Sequence, residues 1–253
     1  MTRPRHRKHA NPFTIRGPIE VPDWQQLFGR QAPMALDVGF GRGAFLLALA
    51  QRNPAWNVLG LEIRQHHVDE VMEASRSAGL KNVYAVLGNV NQHLEALIPS
   101  ASLAFVSLNF PDPWFKKRHQ KRRVVDANWL RILGRKLRLG ATFHAMTDQA
   151  SLAHEIRDYA EKCGDFVNLA GLQHFASSST TGIVSEREIK HLGRHERIYR
   201  MHFRYVGMPA NDRWGSQDLF ATGLSAHRNG GIISKTFPRH SNPCTTQSNL
   251  ESS

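Results

Sequence analysis

Short apolar runs alternate with amphipathic segments from Met34 to Leu172, with glycine, proline or polar residues between them. The alternation predicts strands and helices in turn. Met34-Ala-Leu-Asp-Val38 reads as a first strand, Gly39-Phe-Gly-Arg-Gly43 as a glycine turn, and Ala44-Phe-Leu-Leu-Ala-Leu-Ala50, made of good helix formers, as a helix. Asn57 to Leu61 is a second strand, ended by Glu62. Gln65 to Ser77 then carries Val68, Val71, Met72 and Ser75 on one helical stripe. Asn82 to Leu87 gives a third strand, closed by Gly88-Asn89 and followed by a short helix around Gln92 to Ala96. Leu103 to Leu108 is the fourth.

Asp126 is placed to cap a helix through Leu137, with Trp129, Leu130, Leu133 and Leu137 inward and Gly140 closing it. Ala141 to Met146 predicts a fifth strand, Gln149 to Lys162 a helix, Phe166 to Leu172 a sixth strand, and the alternating Ile198 to Tyr205 a last one. Five β-α units in succession imply an α/β fold: a mostly parallel sheet of seven strands with helices on both faces. Ligands of such sheets sit beyond the carboxyl ends of the strands. Asp37 with its glycines, Glu62, Asn89, Asn109 to Asp112 and Thr147-Asp148 all fall at those ends. Residues 1–22, basic and poor in apolar positions, read as a flexible arm, and residues 23–206 as the folded domain. Residues 207–253, polar with scattered Gly, Pro, Ser and Asn, read as a disordered tail.

Charge narrows the choice of partner. The 253 residues hold 33 Lys and Arg against 21 Asp and Glu, a net charge of +12 and a pI near 10.3. Such an excess favours a polyanionic partner, nucleic acid first. No run of about 18 apolar residues is long enough to span a membrane, and no apolar segment follows the basic N-terminus, so a cytoplasmic location is expected. Cys163 and Cys244 are too few for a disulfide framework or a cysteine metal site and read as free thiols. The 14 His are scattered, and the adjoining His66-His67 lacks partners at ligand spacing, so no metal is expected.

Glycines at every second position, Gly39, Gly41 and Gly43, let the chain turn sharply off a strand and let a ligand approach the backbone. The pattern is G-x-G-x-G, not the G-x-G-x-x-G of dinucleotide sites. Asp37, just before it, would repel a phosphate and accept a hydrogen bond from an ammonium. Glu62, after the second strand, can take both hydroxyls of a ribose, and the Asn89 amide can meet an adenine edge. An ammonium, a ribose and a purine describe S-adenosylmethionine.

Phe110-Pro-Asp-Pro-Trp114 follows the fourth strand. Its prolines fix φ on both sides of Asp112 and remove donors, so the stretch cannot be helix interior and makes a stiff loop able to hold a carboxylate. It runs into six Lys and Arg within eight residues, Lys116 to Arg123. Lys117, Arg118, Lys121, Arg122 and Arg123 suit the phosphates of a nucleic acid, which such side chains hold without reading sequence.

Together, Leu36 to Gly43, Gly60-Leu-Glu-Ile-Arg64 and Phe110 to Arg123 resemble the bacterial tRNA (guanine-N7)-methyltransferases, over roughly Asp37 to Tyr205. The resemblance implies a Rossmann-like class I methyltransferase fold, S-adenosylmethionine as donor and a guanine in the tRNA variable loop as acceptor. By position it implies that Lys116, Asp148, Ser185 and Glu188 bind substrate. It also places Asp112 beside the target base, where its carboxylate is the expected catalytic group. Three positions depart from the family pattern: Asn89 stands for Asp, Ser185 for Thr, and His195 for a frequent Gly, in a segment unusually rich in basic residues. The alternatives are a class I methyltransferase acting on another RNA or a small molecule, and an RNA-binding protein that has lost catalysis.

Overall fold

The computed structural model describes residues 15, 17–114 and 117–207, with the backbone alone at Lys117, Gln120 and Lys121. Most of the expected arm, Lys116 and the expected tail beyond Gly207 lie outside the described residues. Seven strands form one sheet: β1 (Met34–Val38), β2 (Asn57–Glu62), β3 (Val83–Leu87), β4 (Leu103–Asn109), β5 (Leu137–Thr147), β6 (Phe166–Asn168) and β7 (Tyr199–Tyr205). Their order is β3-β2-β1-β4-β5-β7-β6. Parallel pairing holds from β3 through β5, and β7 runs antiparallel between β5 and β6. The order reverses at β1 and β4, so the crevice beyond their carboxyl ends is where a ligand is expected.

Helices cover both faces. Helices α2 (Ala44–Arg52) and α3 (Gln65–Ser77) pack Phe45, Leu46, Val68 and Val71 on one face, and α4 (Val90–Leu97), α5 (Ala127–Lys136) and α6 (Ala150–Cys163) pack Leu94, Leu130 and Ile156 on the other. The buried strands β1 and β2 show no exposed position, as expected where both faces are covered. Asp126 caps α5 through Trp129 N–H at 2.8 Å, as its position predicts.

Four local expectations are corrected. Helix α5 ends at Lys136 and β5 begins at once, so Gly140 lies within a strand; its φ of +79° marks a kink, and the register with β4 slips between Leu103 and Phe105. Strand β6 stops at Asn168 and does not reach Leu172, because the Asn168 side chain accepts from Ala170 N–H and turns the chain. Two short helices were not expected: α1 (Trp24–Phe28), capped by Asp23, and α7 (Glu186–Leu192), started by a capping box between Ser185 and Glu188. The end of the presumed arm is docked: Ile19 packs on the core, and His93, whose Nδ1 accepts from Asn89 N–H, donates from Nε2 to the Gly17 carbonyl at 3.1 Å.

One polar row crosses the apolar sheet: Asp37 pairs in register with Ser107, Ser107 with His144, and His144 with His202. The His144 and His202 Nδ1 atoms are 3.0 Å apart, so one ring must donate and the other accept, and both cannot be protonated. Burial, then the neighbouring His202 and Arg200, hold His144 down to about 3, far below its ordinary 6.5. In the folded protein it stays neutral where the unfolded chain would protonate it, so its share of stability is present above about 6.5 and lost as pH falls below that. Asp37 titrates with the opposite sign, which a comparison of two proteins cancels. Between pH 6 and 5, chemical denaturation should show the wild type losing about 1 kcal/mol of stability relative to His144→Phe. A pH-independent difference would contradict the assignment.

Candidate active site

A cleft of about 800 Å³ opens beyond the carboxyl ends of β1, β2 and β4. It is lined by the glycine turn after β1, the end of β2, Asn89 after β3, the loop after β4, and α7. The acids lie deep and the bases toward the outside: Asp37 and Glu62 are 1 % and 2 % exposed, whereas Arg42, Lys190 and Arg194 are exposed.

Asp37 is at the tip of β1. Its Oδ1 accepts from Ser107 Oγ at 2.7 Å, while its buried Oδ2 has no partner among the described residues. Burial raises its carboxyl from 3.8 to about 7, against the lowering effect of Ser107 and with a smaller push from Glu62. Both amide atoms of Asn109, at the end of β4, are also buried without a partner among the described residues. Buried polar groups are ordinarily satisfied, so these orphans at one cleft mark a place for a polar ligand.

Gly39, Gly41 and Gly43 all have positive φ, between 60° and 79°. A Cβ at Gly39 or Gly41 would meet nothing within 4 Å, so there the backbone conformation alone requires glycine and the space above is open. A Cβ at Gly43 would lie 2.0 Å from Val71 Cγ2, which makes that glycine a packing requirement between α2 and α3. Glu62 clamps the turn: Oε2 accepts from Gly41 N–H at 3.0 Å and Oε1 from Ile63 N–H at 2.9 Å. Oε1 also accepts from Arg64 Nη1 at 3.4 Å, so it is Oε2 that keeps a lone pair for a ligand. Asn89 caps α4, its Oδ1 accepting from Asn91 N–H at 3.0 Å. These residues fit S-adenosylmethionine: an unmatched carboxylate oxygen for its ammonium, a fixed carboxylate for its ribose, and an amide beside the purine position.

The loop after β4 is held at both ends. Phe110 takes φ +50° and Trp114 φ +43°, rare for non-glycine residues and typical of functional loops. Phe110 N–H donates to the Met146 carbonyl at 2.7 Å. The Arg187 guanidinium lies 5.1 Å from the centre of the Phe110 ring, and that of Arg122 5.0 Å from the centre of the Trp114 ring. Asp112, midway, is partly buried and lines the cleft.

Several expected ligands have other work. Arg123 is 10 % exposed; it pairs with Glu155 and donates to the Pro113 carbonyl at 2.9 Å, so it fastens the loop to α6 and is no free phosphate contact. Glu188 is outside the cleft lining: Arg200 donates to it from Nε at 3.0 Å, which pins α7 to β7. Ser185 caps α7 and does line the cleft. Asp148 is absent from that lining and holds Arg187 Nη2 at 3.2 Å. Arg118 is exposed, and the 3-10 turn Lys117–Arg122 carries it. Arg187, Lys190, His191 and Arg194 enter the cleft lining without having been expected there. The signals that could have found them are the basic composition of Ser185 to Arg200 and the Ser185-x-x-Glu188 capping-box spacing, which starts the helix; its anchoring by Arg200 is not visible locally.

Comparison with known proteins agrees with this geometry. A family profile described as a putative methyltransferase matches residues 31–201. The tRNA (guanine-N(7)-)-methyltransferase of Synechococcus elongatus is 38 % identical over 221 residues, covering 83 % of this chain and 100 % of its own length. That of a Synechocystis species is 36 % identical over 205 residues, covering 79 % and 97 %. Among solved structures, the 16S rRNA methyltransferase KamB superposes with a TM-score of 0.55 at 15 % identity, over 75 % of this chain and 96 % of its own; this is a likeness of fold. The chain belongs to the tRNA (guanine-N(7)-)-methyltransferase family.

Proposed function

We propose that this methyltransferase transfers the methyl group of S-adenosylmethionine to N7 of a guanine in the variable loop of tRNA, with Asp112 beside the guanine. The observation that carries the reading is a single cleft joining an unmatched buried carboxylate, Asp37, to a stiff loop that presents a second one, Asp112. S-adenosylmethionine, when bound, supplies a methyl group on a cationic sulfonium.

The chain's own residues do the rest. Asp37 Oδ2 would accept from the ammonium and Glu62 from the ribose hydroxyls. Guanine N7 carries an in-plane lone pair and no proton, so no general base is needed and placement is the main requirement. Asp112 can accept from guanine N1–H and the exocyclic amine, two donors that adenine does not present together. Its charge also offsets the positive charge that grows on the ring during transfer. Trp114, backed by Arg122, offers a face for the base; such stacking is worth roughly 1 to 3 kcal/mol. Lys116, Lys117, Arg118 and Lys121 are the nearest cations in sequence for the phosphates beside the target, and Asp148, Ser185 and Glu188 hold the substrate side of the site through α7.

Asp112→Ala should lower kcat/KM for methyl transfer to tRNA by at least about a hundredfold while leaving tRNA binding by filter assay intact; unchanged turnover would remove Asp112 from the mechanism. Cofactor binding should depend on pH through Asp37. A cation prefers the ionised carboxylate, and the group titrates at about 7, so affinity for S-adenosylhomocysteine rises with pH through that value. Calorimetry should give roughly tenfold weaker binding at pH 6 than at pH 8, and Asp37→Asn should bind weakly at both. A flat wild-type profile would refute the role. Arg118→Ala should reduce the slope of log affinity for tRNA against log salt by just under 1, and an unaltered slope would take Arg118 off the phosphates.

A further inference from the structure

We infer that α7 and the turn after it form a second phosphate-binding strip, Lys190 and Arg194 in line with the loop-bound Arg187, which grips the tRNA backbone on the far side of the target guanine from the Lys116–Arg122 tract. The inference rests on the tRNA reading above and goes beyond it by assigning a contact surface that the tract does not include. Spacings of three and four residues put these side chains on one helical face. Gly193 continues the helical turn with φ −65° and ψ −12°, so Arg194 stays in line with the strip. All three line the cleft.

The strip is built to stay in place. Glu188, 2 % exposed, accepts from Arg200 on β7, and the Ser185 capping box fixes the start of the helix. Asp148 sets the Arg187 guanidinium over Phe110, from where Nη1 reaches the Phe110 carbonyl at 3.5 Å. Lys190 and Arg194 are exposed and, among the described residues, enter no ion pair, so their charges stand uncompensated at the mouth.

Position gives the strip its ligand. The loop carrying Asp112 has one cation stacked at each end, Arg122 on Trp114 and Arg187 on Phe110. A nucleotide turned into the cleft toward Asp112 keeps a phosphate on its 5′ side and another on its 3′ side. One cationic wall can neutralise only one of them well. The tract continues from the Trp114 end and α7 from the Phe110 end, so the two walls match the two phosphates. Deeper in the cleft the charge is acidic, with Asp37 and Glu62, which keeps phosphate at the rim and admits the base.

The test is tRNA binding by the full chain over a potassium chloride series, comparing wild type, Lys190→Ala/Arg194→Ala, and a control Arg138→Ala/Lys162→Ala that removes the same charge near the amino-terminal edge of the sheet. The α7 variant should lower the slope of log affinity against log salt by about 1.5, at just under one unit per phosphate contact, with unchanged S-adenosylhomocysteine affinity and thermal midpoint. The control should keep the wild-type slope. An unaltered slope in the α7 variant, or an equal loss in the control, would overturn the strip while leaving the enzyme a tRNA methyltransferase. Failure of the wild type to bind tRNA at all would overturn the functional reading and the strip with it.

Discussion

A carboxylate taken out of water must find a partner or give up its charge. Asp37 is in that position at the centre of the sheet, with Ser107 satisfying one oxygen and nothing among the described residues satisfying the other. Its partial neutralisation, with a carboxyl that titrates at about 7, is the response of the empty-handed group. The architecture around it follows from keeping it there: β1 is buried on both sides, three glycines turn the chain away above it, and Glu62 on β2 ties down the turn through Gly41 N–H. On the function proposed above, an incoming ammonium would supply the missing partner, and cofactor binding would relieve a cost built into the fold.

The second half of the site is a loop held in an unfavourable shape from outside. Phe110 and Trp114 adopt left-handed φ values, and the prolines between them remove two backbone donors. Arg187, His191, Arg122 and Arg123 supply the restraints: two guanidiniums over aromatic rings, an imidazole stacked on Phe110 at 5.4 Å, and a hydrogen bond to the Pro113 carbonyl. Basic residues here therefore serve two ends. Some shape the carboxylate-bearing loop, and those further out are the ones we propose for phosphate.

What the sequence made legible is what short-range chemistry decides. The strand, glycine turn and helix from Met34 to Arg52, and the helix from Gln65 to Ser77, follow from apolar period and from glycines whose φ only they can adopt. Parallel order followed from alternation, and with it the gathering of Asp37, Glu62, Asn89 and Asp112 in one cleft. What stayed hidden was decided at long range. Arg123 looks like the rest of its tract until Glu155, 32 positions on, takes its guanidinium. Glu188 resembles a ligand until Arg200 claims it, and α7 looks like a charged loop until that pairing anchors it. Gly140 reads as a helix end because no local signal says that a strand has already begun at Leu137.

The central claim is that the cleft brings a tRNA guanine to the methyl donor through Asp112. Its most direct test is incubation of the purified chain with methyl-labelled S-adenosylmethionine and bulk tRNA, followed by nuclease mapping of the label. The account predicts label at N7 of a variable-loop guanine. Label at another atom or another position, or tRNA bound without label, would contradict it.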